Sequence, residues 1–283
     1  MKIMKIMIVM LILIMSVGAV CAADDISDEI ISDDGQDTLE ITQNYIYTTG
    51  ESSFSNLTDE IENAGTTLDL TKDYTFNNET DNNTGIVIAK DNFVLNGNGR
   101  TIDGKNQSRI FNIIANNVTL NDLILINGNY GMCGGIRADG TLTLNNVTFI
   151  NNYANEQGGA IGIREGALLI SNCRFIDNHA ESGSSILVSS SEVKLYNSSF
   201  TSKNFDKGSQ IDLSYAEVYI ENTTFANITA SYSPALNIFS SNASIINSKF
   251  IDLKAIITAG AIRTKEGGKL YIENCEFENV TSS

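Results

Sequence analysis

Phenylalanine returns through this chain at nearly fixed intervals. Phe149, Phe175, Phe200, Phe225, Phe250 and Phe277 lie 26, 25, 25, 25 and 27 residues apart. Leu125 and Ile102 continue the series upstream at intervals of 24 and 23. A unit this short cannot bury its own apolar side, so the period restricts the chain to stacked-repeat architectures. The positions around each anchor repeat as well. Seven residues before it stand Val118, Leu142, Leu168, Val193, Val218, Ala243 and Leu270. Five before it stand Leu120, Leu144, Ile170, Leu195, Ile220, Ile245 and Ile272. About fourteen before it stand Ile136, Ile161, Ile186, Ile211, Leu236 and Ile262, often after small residues such as Gly158-Gly159 or Ala259-Gly260.

Alternation at minus seven and minus five is the period-2 signature of a strand with one buried face. Three residues before the anchor, Asn146, Asn172, Asn197, Asn222, Asn247 and Asn274 break that alternation. Asparagine tolerates left-handed backbone and suits a sharp bend. The anchor then opens a second short strand, and the Gly-Gly-Ala-Ile slot a third. The expected fold is all-β: a parallel β-helix of about 25 residues per coil, with three short strands in each. Right-handedness follows from the crossover rule for parallel strands, not from the pattern itself. Stacking aligns equivalent positions about 4.8 Å apart. The phenylalanines are expected to form one internal stack, and the minus-three asparagines an internal ladder. A leucine-rich repeat would show a different leucine spacing, and a propeller blade would need roughly 40–50 residues.

The ends and the charge set the setting. Residues 1–22, MKIMKIMIVMLILIMSVGAVCA, have a basic start, an apolar run and a small-residue end, as a secretory signal does. The run is short for a membrane span. Removal of this segment leaves 16 basic and 34 acidic residues, a net charge of −18. That balance argues against nucleic acid as a partner. Residues 23–52 read as a flexible acidic leader. Its aspartates (Asp24, Asp25, Asp28, Asp33, Asp34 and Asp37) read as a solvated charge run that would hold calcium only loosely, and no cofactor is indicated. The β-helix domain is expected over 53–283. Within it, SFSNLTDEIENAG (53–65) places Phe54, Leu57, Ile61 and Ala64 on one helical face, with Gly65 as the C-terminal cap. Such a helix would cover the first coil. The sequence stops six residues after Phe277, which is read as the edge of a longer surface protein. Cys173 and Cys275 share a slot four coils apart, beyond disulfide reach, and read as small apolar residues.

Chemistry is sparse in the pattern. Asp177 and Asp252 share a slot three coils apart, and Arg137 and Arg263 another, five coils apart. His179, the single histidine, is read as a turn residue. An enzyme of this architecture needs carboxylates gathered on adjacent coils. Tyr219 and Tyr271 occupy an outward slot six before their anchors, two coils apart, and are the candidate sugar-stacking residues. Eleven Asn-x-Ser/Thr sequons occur. Asn56, Asn78, Asn82, Asn106, Asn117 and Asn242 are the expected acceptors, whereas Asn146, Asn197 and Asn222 are expected to be buried in the ladder.

The tetrapeptide Gly158-Gly159-Ala160-Ile161 and the Phe-x-x-Asn pairs Phe149 to Asn152 and Phe175 to Asn178 resemble the polymorphic outer-membrane protein repeat of chlamydial adhesins. NFVLNGNGRTIDG (92–104) with NNVTLNDLILING (116–128) resembles the start of β-helix domains in adhesin-like surface proteins of methanogenic archaea. The resemblance spans about 53–283 and implies a right-handed parallel β-helix, on the pectin lyase-like plan, secreted or at the cell surface. Four units lack the full motif pair, and no C-terminal barrel or anchor domain follows. The expected function is therefore non-enzymatic adhesion or surface display, with cell-surface glycans or other surface proteins as partners. Contact with a membrane would come only through the signal segment or a missing anchor. The alternatives are a secreted polysaccharide lyase or glycosidase on the same fold, and a structural spacer.

Overall fold

The computed structural model describes residues 52–283. The signal segment (1–22), the acidic leader (23–52, Ser52 apart) and the leader aspartates lie outside the described residues. The described chain is a parallel β-solenoid of about nine turns with about 25 residues per turn and one short helix near its N-terminal end.

The repeat sets the register directly. Phe149 pairs with Phe175, Phe175 with Phe200, Phe200 with Phe225, Phe225 with Phe250, and Phe250 with Phe277, all in parallel strands. Their rings stack with centroids 4.5–5.2 Å apart and planes within 10° of parallel. The first five rings are buried, while Phe277 is 47% exposed. Leu125 and Ile102 extend this column, and Tyr74 extends it one coil further. The minus-seven and minus-fourteen columns hold the same coil-to-coil register.

Helix α1 (Phe54–Asn63) covers the first coil, with Phe54, Leu57 and Ile61 buried. Ser53 and Asn56 form a reciprocal capping box at its start. The Asp81 carboxylate accepts from the Phe54 and Ser55 N–H groups, so the helix N-terminus is already satisfied. The Tyr74 hydroxyl donates to Glu60 Oε2 at 2.6 Å, tying the helix to the end of the anchor column. The helix closes one residue earlier than expected. Ala64, in extended conformation, is its C-cap, and its N–H bonds the Glu60 carbonyl. Gly65 does not serve as a left-handed cap.

The minus-three asparagines correct the expected internal ladder. Asn146, Asn172, Asn197, Asn222, Asn247 and Asn274 all adopt left-handed backbone, with φ of 48–57°. All six are exposed. The bend that they make turns their own side chains outward. The next residue points in: Cys173, Ser198, Thr223 and Ser248 are buried. Val147 N–H donates to Cys173 Sγ at 3.4 Å, Cys173 N–H to Ser198 Oγ at 3.0 Å, and Thr223 N–H to Ser248 Oγ at 3.2 Å. These side chains satisfy backbone donors that the bend removes from the sheet ladder.

A buried asparagine pair lies instead in the Phe-x-x-Asn motif. Asn152 and Asn178 are 0% and 1% exposed. Asn178 Oδ1 accepts from both the backbone N–H and Nδ2 of Asn152, at 3.0 and 2.9 Å. Their amides also donate to the Leu125 and Phe149 carbonyls. The glycines of the third-strand slot have a simpler cause. A Cβ on Gly135 would strike the Ala160 carbonyl oxygen, and one on Gly159 the Ser184 carbonyl oxygen of the next coil.

Candidate ligand-binding face

The two tyrosines singled out from sequence do share an outward column. Tyr219 pairs with Ser244, and Ser244 with Tyr271, so one short side chain separates them. Tyr271 is 56% exposed. Each phenol donates to the glutamate two residues on: Tyr219 to Glu221 Oε2 at 3.0 Å, and Tyr271 to Glu273 Oε2 at 2.8 Å. The accepting carboxylate raises each phenol's pKa. Tyr196, one coil before Tyr219, brings its ring within 5.8 Å of it, tilted by 50°. The face thus offers aromatic surface beside fixed carboxylates, the combination that contacts the C–H face and the hydroxyls of a sugar. It holds no charge relay.

His179 is more than a turn residue. Its Nδ1 lies 3.1 Å from Asp206 Oδ1, and Asp206 is fully buried. Gln210 Nε2 donates to the other Asp206 oxygen at 2.8 Å, and Ser185 Oγ donates to Gln210 Oε1. The Tyr153 ring stacks on the imidazole at 5.5 Å. Nearby, Asp212 accepts from Ser182 Oγ at 2.5 Å and from Asn237 Nδ2 at 3.0 Å. Sequence reading misses Asp206, Gln210 and Asp212. A signal for Asp206 exists, because it stands in register with Ala230 and Ala255. A carboxylate in a slot that neighbouring coils fill with alanine marks a buried charge.

Burial pushes the carboxyls of both Asp206 and Asp212 up, against the bonds and charges that favour ionisation. A carboxyl raised in the folded state binds its proton more tightly there than in the unfolded chain. Its contribution to stability is complete below the usual aspartate value near 4 and is lost as pH rises through the folded value. Asp212→Asn removes that loss. The variant is expected to melt above the parent at pH 7 and level with it near pH 4. A gap that widens on acidification instead contradicts this assignment.

A third outward feature is a hollow. The column after the Gly-Gly-Ala-Ile slot reads Asn112, Arg137, Gly162, Leu187, Asp212, Asn237 and Arg263 along successive coils. Beside Gly162, whose side-chain space the Cys133 thiol occupies, lies a cavity of about 240 Å³. Arg137, Asp139, Arg164, Leu187, Met132 and Cys133 line it. Arg137 and Arg263 therefore belong to one column but to different surroundings, as their spacing implied.

Asp177 and Asp252 take left-handed backbone at bends, with φ of 52° and 53°. Among the sequons, Asn78, Asn82, Asn106 and Asn117 are exposed, and Asn242 is half-buried with its amide on Glu217. Asn56 is exposed, but its side chain serves the capping box. Asn146, Asn197 and Asn222, expected to be hidden, are exposed sequons. Cys173 is buried and its thiol is pushed up to about 12, whereas Cys275 is half-buried. Among the described residues, no three His, Cys, Asp or Glu side chains converge as a metal site. Among the same residues, no helix is long and apolar enough to cross a membrane.

No protein-family model matches the chain, and a search of curated proteins returns no match. Four solved chains match by structure. One is "L. reuteri 53608 SRRP", with 15% sequence identity and a TM-score of 0.33, covering 82% of this chain and 97% of that one. Similarity at this level carries no functional argument.

Proposed function

We propose that the chain is an exported, non-enzymatic surface protein that adheres by binding glycans along the outward tyrosine face. The observation that carries this reading is the shared column of Tyr219 and Tyr271, with Ser244 between them and a glutamate beside each phenol. Paired aromatic surfaces at a fixed spacing suit a repeating saccharide, and a solenoid backbone holds the spacing without further backbone ordering on binding. The lyase or glycosidase alternative would need paired carboxylates open to substrate. Asp206 and Asp212 are buried, and Tyr-linked Glu221 and Glu273 stand two coils apart. Glu192 and Glu217 are exposed on adjacent coils, but Lys194 engages the first and the Asn242 amide the second.

Tyr219→Ala and Tyr271→Ala are each expected to weaken retention on an immobilised polysaccharide roughly threefold to tenfold, the worth of one aromatic contact. The double variant should lose more than either. Undiminished retention by the double variant, with an unchanged melting transition, would place the binding surface elsewhere.

A further inference from the structure

We infer that the Gly162 hollow is an anion-recognition subsite, taking the carboxylate or sulfate of one acidic sugar unit between the Arg137 and Arg164 guanidinium groups. This rests on the glycan-binding reading above and names the ligand chemistry at a second place on the solenoid.

The hollow has a local cause. Glycine inside a strand is unfavourable, because it gives up packing and chain stiffness. Here a Cβ would collide with Cys133 Sγ, so the bare backbone lets the thiol form one edge of the cavity. Arg137 rises from the coil on one side and Leu187 from the coil on the other. Arg164 stands across from Asp139, diagonal to Arg137.

Charge concentrates here against the trend of the whole chain, whose formal net charge is −16. Burial pushes the Cys133 thiol up, Arg109, Arg137 and Arg164 pull it down, and the carboxylate of Asp139 acts the other way. Three guanidinium groups therefore act on one spot. Arg109 is committed to structure: it bonds the Cys133, Met132 and Thr84 carbonyls and lies over the Tyr130 ring. Arg137 is held in place by Asn112 Oδ1 at 3.1 Å and Asp139 Oδ2 at 2.6 Å. Arg164 is exposed and makes no hydrogen bond or ion pair among the described residues. One fixed and one unengaged guanidinium beside an apolar wall match a ring that bears an anionic group. A volume of about 240 Å³ lies below the range of drug-sized pockets, so the hollow takes one unit, not a chain.

The test titrates the full chain and its Arg164→Ala variant with three matched oligosaccharides: uronic acid-terminated, sulfated and neutral. Arg164 is exposed, and the melting transition of the variant reports that it folds. Acidic ligands are expected to bind more tightly than the neutral one, to weaken as NaCl rises, and to lose about tenfold in affinity with Arg164→Ala, the worth of a charge-assisted hydrogen bond. The neutral ligand should be indifferent to that change. Preference for the uronate assigns the subsite to carboxylates, and preference for the sulfated ligand assigns it to sulfate esters. If neutral and acidic ligands bind alike and Arg164→Ala has no effect, this inference is overturned while glycan binding through the tyrosine face stands. If none of the three binds, both readings fall.

Discussion

Phe200→Ala and Phe225→Ala are each expected to destabilise the solenoid by about 3–5 kcal/mol, the range for truncating a fully buried phenylalanine. Both rings are 0% exposed and are sandwiched between rings one coil above and one below. Truncation removes apolar area and leaves a void that two neighbouring coils border. Collapse around it is hindered, because the backbone on both sides is pinned in the parallel ladder. Phe277 provides the internal comparison. Its ring caps the column at 47% exposure, so Phe277→Ala should cost clearly less than either interior change. Chemical denaturation of the three variants distinguishes the cases. Equal and small losses at all three positions would contradict a stacked core.

The second large effect is expected at Asn178. Asn178→Ala removes the acceptor for two Asn152 N–H donors and the donor to the Phe149 carbonyl. The site admits little water, since both asparagines are essentially unexposed. Each buried polar group left unpaired costs about 1–3 kcal/mol, so a total loss of about 2–4 kcal/mol is expected after partial relaxation. Asn172→Ala, in the same coil but exposed at a bend, should cost less, mainly through its left-handed backbone. Thermal unfolding of the pair ranks them. A larger loss for Asn172→Ala would restore the minus-three asparagines as the structural ladder.

That contrast shows what the chain's pattern can and cannot convey. The period and its alternation determine which residues share a column, and the anchor, minus-seven and minus-fourteen columns stand in register as expected. Alternation predicts side-chain direction only while the backbone stays extended. A left-handed residue breaks that rule, so two recurring asparagines, one before the anchor and one after it, are indistinguishable by spacing. The buried one is the Asn of Phe-x-x-Asn. Tyr74 is not legible as a column member because its interval to Ile102 is longer and its phenol needs Glu60 of the covering helix.

The polar corner is hidden for a different reason. His179 and Asp206 are separated by more than a full repeat, and the Asp206 coil carries an extra residue that shifts its register. Only pairing with Ala230 shows that the carboxylate points inward. The Gly162 hollow requires three successive coils of one column at once. Glycine, arginine and leucine at successive coils look unremarkable singly, and the hollow exists because they are neighbours.

The most direct test of the surface-binding account applies the purified full chain to a panel of acidic and neutral polysaccharides, with and without calcium. Retention and newly formed chain ends are measured in the same samples. Retention of at least one polysaccharide with no new ends is expected, diminished by the Tyr219 and Tyr271 substitutions. New chain ends would contradict it and make the chain an enzyme. Absence of both retention and cleavage would leave the solenoid as a spacer.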